Sequence, residues 1–129
     1  MNQNELKLLK FEPPNFHLYI SSIKEFFIYY YRNFKFAKKD FCCKYIRGNK
    51  SKARNNFFDE MSASLEFPYY FGENWDAFDE CINDLDWLSA KGYLLFISNI
   101  NELLKDNDKD FEIFIECMQS TCVKWANAQ

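Results

Sequence analysis

The chain is poor in the residues that build ligand cradles. Its 129 residues include three glycines, three prolines and one histidine, and no Gly-rich phosphate loop can be drawn. The five cysteines (Cys42, Cys43, Cys81, Cys117 and Cys122) show no CxxC or other zinc spacing. Odd in number, they are expected to be free buried thiols. No apolar run approaches a membrane span, and the start "MNQNELKLLKF" is too polar for a signal peptide, so the expected compartment is the cytoplasm. His17 has no cysteine near it in sequence except Cys42 and Cys43, which argues against a Cys–His nucleophile and for a surface or strand-edge residue. "DNDKDFEIFIEC" begins like a calcium loop, with Asp106, Asp108 and Asp110 at alternate positions. It then places Phe111 where the turn needs glycine and Cys117 where a bidentate Glu belongs. These acids are expected to cap and begin the last helix. No catalytic residue, metal ligand or cofactor is expected.

What the chain does have is aromatic bulk and a divided charge. Phe, Tyr and Trp make up 20% of it, enough for bulky rings to dominate the core of one domain. Residues 1–58 carry twelve Lys/Arg against four Asp/Glu, and residues 59–129 carry four against fifteen, leaving a net charge of −3. Such asymmetry speaks to partners. The lysines of the basic half are scattered over several predicted elements, which favours a solvated surface over nucleic-acid binding.

Periodicity predicts strands at 16–20, 40–48 and 93–100, the last nearly continuous in apolar residues and therefore covered on both faces. "SSIKEFFIYYYRNF" reads as a helix with a Ser22/Glu25 capping box. Ser51 is placed to cap a helix whose stripe is Phe57, Phe58, Met61 and Leu65. A last helix from Asp108 or Asp110 is expected to bury Phe111, Phe114, Ile115, Met118, Cys122 and Trp125. This order argues for a small α/β fold with parallel pairing.

The most informative stretch is "FPYYFGENWDAFDECINDLDW", residues 67–87. Asn74 is a good N-cap and Gly72 suits the turn before it. Trp75, Phe78, Cys81, Ile82 and Leu85 form the buried face of a helix predicted over about 75–87. Asp76, Asp79, Glu80, Asn83 and Asp84 share another face. Asp76 suits the helix dipole, but Asp84 and Asp86 oppose it, and no Lys or Arg lies between residues 55 and 90 to relieve the repulsion. Paired carboxylates on successive turns do not flank a cleft, so glycosidase-type chemistry is disfavoured. A stripe of one sign beside exposed aromatics suits a surface that seeks a basic partner, such as the groove of a nucleic-acid-processing enzyme.

"FPYYFGENWDAFDEC" resembles the signature of the barstar family of intracellular ribonuclease inhibitors, a likeness covering about two-thirds of the chain. The resemblance implies a small α/β fold in which a helix and its preceding loop plug a ribonuclease active site, carboxylates standing in for RNA phosphates. It implies contact roles for Tyr70 and Asp76, a presenting role for Gly72 and Asn74, and a central role for Glu80, whose counterpart is the family's strongest hot spot and a standard example of one. Glu116 would be an acidic contact on the last helix. With Phe71, Asp79, Asn83, Asp84 and Trp87 these make the expected partner-binding set. Asp79 departs from the family's tryptophan and Glu80 is one methylene longer than its aspartate, so a partner other than the prototype ribonuclease is expected.

Residues 40–129 would form the barstar-like domain and residues 1–39 an extension, with 16–20 and the following helix adding to the sheet. The family's final strand has no counterpart before Gln129, so the sheet is either completed by this extension or left incomplete by truncation. The expected partner is a basic ribonuclease or related toxin, bound one-to-one, with no direct nucleic-acid or membrane binding and a monomer when free. The alternative is an interaction module of the same fold whose partner is not a nuclease.

Overall fold

A computed structural model describes residues 7–11, 16–21, 41–90 and 92–127. Four strands, β1 (Lys7–Phe11), β2 (Phe16–Ser21), β3 (Phe41–Arg47) and β4 (Gly92–Ser98), form one sheet in the order β1-β2-β4-β3. β2, β4 and β3 run parallel, and β1 returns antiparallel on β2. Three helices follow the chain among these residues: α1 (Arg54–Leu65), α2 (Trp75–Asp84) and α3 (Asp108–Asn127). The class is α/β, as the element order predicts. The strand read at 16–20 extends the sheet on the β4 side, while the helix read after it lies outside the described residues. β1 escapes sequence reading because "KLLKF" spaces its lysines three apart rather than in alternation. His17 pairs with Lys10 on one side and Leu94 on the other, so it belongs to an inner strand and not to a strand edge.

β4 is an inner strand too, and Tyr93, Leu95, Phe96, Ile97 and Ser98 are all buried, which explains its lack of polar alternation. Tyr93, Leu95 and Ile97 join Ile46 of β3 in the main core, against Phe57, Phe58, Met61 and Leu65 of α1, Phe78, Cys81, Ile82 and Leu85 around α2, and Phe114 and Met118 of α3. Phe111 and Ile115 pack on it partly buried. The side chains of Cys122 and Trp125 lie outside the described residues.

Several boundaries differ from expectation for visible reasons. β4 stops at Ser98 because Asn99 turns left-handed at φ 50°. Ser51 does not cap α1: it is buried and donates to the Arg47 carbonyl at 2.9 Å, while the helix starts after Ala53 without a side-chain cap. For α3 the cap is Asn107, whose side-chain oxygen accepts from the Lys109 amide at 2.9 Å, and Asp110 turns inward instead.

Two contacts hold β3 to its surroundings. Gly48, just past its end, passes so close to β4 that a Cβ there would run into the carbonyl oxygens of Ser98 and Asn99. On the β3 side α1 supplies Glu60, which accepts from the Arg47 amide (2.9 Å) and from its guanidinium (2.8 and 2.9 Å), and Ser64, which donates to the Tyr45 carbonyl (3.0 Å). Side chains thus satisfy backbone groups of a strand at the edge of the sheet. Burial works to raise the Glu60 carboxyl, but the hydrogen bonds and charge of Arg47 outweigh it and hold it below its ordinary 4.5.

Gly48→Ala is expected to lower stability by about 1–3 kcal/mol, read as a fall in urea midpoint at unchanged slope. Because Glu60 binds its proton less tightly folded than unfolded, its contribution is present above about pH 4.5 and lost as pH falls through the lower folded value. Glu60→Gln should therefore flatten stability against pH across that acid window, measured by denaturation from pH 6 downwards, relative to the parent.

Candidate partner-binding surface

The loop from α1 to α2 is built by aromatic residues that divide between inside and outside. α1 ends at Glu66, left-handed at φ 55°. Phe67 is then buried, and the Phe71 amide closes a turn on the Pro68 carbonyl at 3.0 Å. Phe71 packs its ring on Phe67 (5.0 Å between centroids) and Phe58 (5.7 Å). Tyr69 and Tyr70 at the turn face outward, 100% and 63% exposed, edge to face with one another. Phe71, expected at the contact surface, therefore serves mainly as the loop's anchor. Tyr69, absent from the expected set, is the most exposed large hydrophobic side chain among the described residues. The "YY" pair in the sequence is its only signal.

The left-handed residue of the next turn is Glu73 (φ 51°) and not Gly72, which is exposed and has no positive φ. Asn74 caps the helix as expected, its Oδ1 accepting from the Ala77 amide at 2.8 Å, and its Nδ2 donates to the Gly72 carbonyl at 3.2 Å.

In α2 the inward side is Phe78, Cys81 and Ile82, followed by Leu85; Asp76, Glu80 and Asp84 are exposed. Asp79 and Asn83 are only half-exposed and are joined, Asn83 Nδ2 donating to the Asp79 backbone oxygen (2.7 Å) and carboxylate (3.1 Å). Lys124 of α3 reaches the other Asp79 oxygen at 4.0 Å. The relief that no residue between 55 and 90 supplies comes from forty-odd residues downstream, so Asp79 is partly committed within the fold. Helix α2 is shorter than expected. It ends at Asp84, where Leu85 takes φ 51° and its amide bonds the Cys81 carbonyl; Asp86 and Trp87 sit on a separate 3-10 turn, Asp86–Leu88. A left-handed Leu costs about 1–2 kcal/mol, and burying its side chain offsets this with about 1.5–3 kcal/mol; Leu85 is 1% exposed. Trp87, expected as a contact, is half-buried with its indole N–H given to the Leu65 carbonyl at 2.9 Å.

The exposed charges bear on one another. Asp86 is raised above its ordinary value by a hydrogen bond that its protonated carboxyl donates to Asp84 and by Asp84's charge. Desolvation, then Asp84, Cys81, Asp86 and Glu80, push the Tyr70 phenol up. On the other flank, burial first, then Asp79, Glu116 and Asp76 against Lys124, push the Cys117 thiol up to about 11. Glu116 of α3 is exposed and thus stands within electrostatic reach of the same thiol as Asp76 and Asp79. Glu80, Asp84 and Asp86, the last outside the expected set, thus stand within electrostatic reach of Tyr70, and Asp76, Asp79 and Glu116 within reach of Cys117. Among the described residues no group of three or more His, Cys, Asp or Glu is placed to hold a metal ion. No helix among them is long and apolar enough to cross a membrane.

Compared with known proteins, residues 41–129 match the family described as Barstar (barnase inhibitor). This covers more than half of the chain, which therefore belongs to the barstar family. No curated protein sequence matches it.

Like-charged neighbours at i, i+4, such as Asp76/Glu80 and Glu80/Asp84, each cost a helix about 0.2–0.5 kcal/mol, and a carboxylate at the helix C-terminus opposes the dipole. The double substitution Glu80→Gln, Asp84→Asn should therefore melt at or slightly above the parent temperature in a thermal scan. A clear loss of stability would show these acids to be satisfied inside the fold.

Proposed function

We propose that this barstar-family chain is a cytoplasmic inhibitor of a ribonuclease, of the antitoxin or immunity kind. It forms a one-to-one complex that closes the nuclease active site with α2 and the loop before it. The observation that carries this reading is the exposed row Asp76, Glu80, Asp84 and Asp86 beside Tyr69 and Tyr70, for which no cation is provided by the described residues. A ribonuclease must hold polyanionic RNA, so its groove presents Arg and Lys at phosphate spacing. Carboxylates held on one helix face can occupy those positions, and the outward tyrosines add contact area with little rotamer freedom to lose. The exposed Tyr70 phenol, protonated at neutral pH, can donate to an acceptor on the partner. No catalytic step by this chain is needed.

The partner differs from the prototype enzyme. Asp79 replaces a tryptophan of the family pattern and is tied to Lys124, while Glu80 reaches further than an aspartate. Both changes alter which cation spacing the face fits.

Association with a ribonuclease captured from the protein's own cell lysate should slow by about tenfold or more between low and physiological salt, with dissociation changing less. A mononucleotide inhibitor of that enzyme should compete for the same groove. The Glu80→Gln, Asp84→Asn protein should lose about 2–5 kcal/mol of binding while remaining folded. An association rate indifferent to salt, or simultaneous binding with nucleotide, would point to docking elsewhere. A captured partner without nuclease activity would favour the interaction-module alternative.

A further inference from the structure

A buried carboxylate outside the acidic helix bonds the helix's first residue. Asp110, in the first turn of α3, is the only buried acid among the described residues, at 8% exposure. Its Oδ1 accepts the indole N–H of Trp75 at 3.1 Å, and the Arg54 guanidinium stands 3.9 Å from the same oxygen. These residues come from three places: Arg54 begins α1, Trp75 begins α2, and Asp110 lies two residues past the start of α3. One carboxylate therefore faces the starts of all three helices.

Trp75 is the residue after the Asn74 cap, so fixing its indole fixes the first turn of α2. The ring is also packed against Phe58 (5.0 Å), Phe78 (5.5 Å) and Phe57 (5.6 Å). Packing alone leaves an aromatic ring room to slide or rotate about its plane normal. A directional N–H···O bond to a carboxylate removes that freedom, and burial in a low-dielectric setting strengthens it. Asp110 is itself restrained: its own amide bonds the Asn107 carbonyl at 3.1 Å, and a negative group in a first turn is favoured by the helix dipole. Arg54, about half exposed, supplies the charge that lets the carboxylate stay buried.

We propose that Asp110 is a positioning residue for the binding surface: through Trp75 it sets the angle at which α2 leaves its cap, and hence where Tyr69, Tyr70 and Asp76 are presented. The surface concerned is that of the functional reading above, but the restraint is a property of the chain alone and is tested without a partner.

The test is amide hydrogen exchange, residue by residue, on the full chain. Three amides report on the start of α2: Phe71, bonded to Pro68, and Ala77 and Phe78, both bonded to Asn74. In Asp110→Ala these should exchange roughly tenfold faster or more, beyond any change at Leu95 and Ile97 in β4, as expected for local rather than global opening. Asp110→Asn keeps an oxygen for the indole and should restore protection to within about threefold of the parent. Trp75→Phe keeps ring packing but removes the donor. It should accelerate the same three amides, and combining it with Asp110→Ala should add little. If Asp110→Ala fails to fold, the Trp75→Phe protein carries the same comparison. Acceleration spread evenly over β4 and α2 would mean that Asp110 contributes only to global stability and would overturn the proposal. No acceleration at the three amides, or an Asn variant as fast as the Ala variant, would overturn it too.

Discussion

Two adjacent rings on α1 hold the loop before α2, α2 itself and α3 together. Phe57 touches Trp75, Phe78 and Phe114, and Phe58 touches Phe71, Trp75 and Phe78, so loop, α2 and α3 all rest on neighbouring residues of one helix. Ring contacts of this kind are directional as well as apolar, and three of these six set edge against face at 5.0–5.7 Å between centroids. They fix orientation where a core of aliphatic chains would fix only proximity. Losing either ring would cost about 3–5 kcal/mol, a large share of the stability of a domain this size. Glycine, which usually makes tight passages possible, is nearly absent here. Left-handed turns at Glu66, Glu73, Leu85, Asn99 and Leu104 are instead taken by residues with side chains, and burial of Leu85 and Leu104 offsets the strain at those two positions.

The buried side of this design was legible in the sequence. Phe57, Phe58, Met61, Leu65, Phe78, Cys81 and Ile82 recur at helical spacing, and all are buried. Strand β4 announced its two covered faces by having no polar alternation. The Asn74 cap was legible because capping is a local matter between residues three apart. What was not legible depended on distance along the chain. Nothing near Asp79 foretold Lys124, and nothing near Trp75 foretold Asp110. Both are pairings made by tertiary packing, invisible to a reading that sees neighbours at i+3 and i+4. Strand β1 went unseen for a similar reason: a five-residue strand is defined by its partner β2 more than by its own pattern.

The acids thus divide by circumstance rather than by sequence position. Asp79 is held by Asn83 and Lys124, and Asp110 by Trp75 and Arg54; both serve the fold. Asp76, Glu80, Asp84 and Asp86 face solvent, and Asp84 is close enough to Asp86 to raise the latter's affinity for a proton. A helix face that stores repulsion in the free state gains when a cation arrives. In the proposed reading, this is the physical sense in which such a face can stand in for a polyanion.

The loop before α2 alternates in a way that reaches beyond one complex. Phe67 and Phe71 turn inward while Tyr69 and Tyr70, between them, turn out. Folding therefore constrains one pair of positions and leaves the other pair free. Substitutions at the outer pair can accumulate over generations without an unfolded ancestor in the lineage. Such a scaffold can change what its loop presents by small surface substitutions alone.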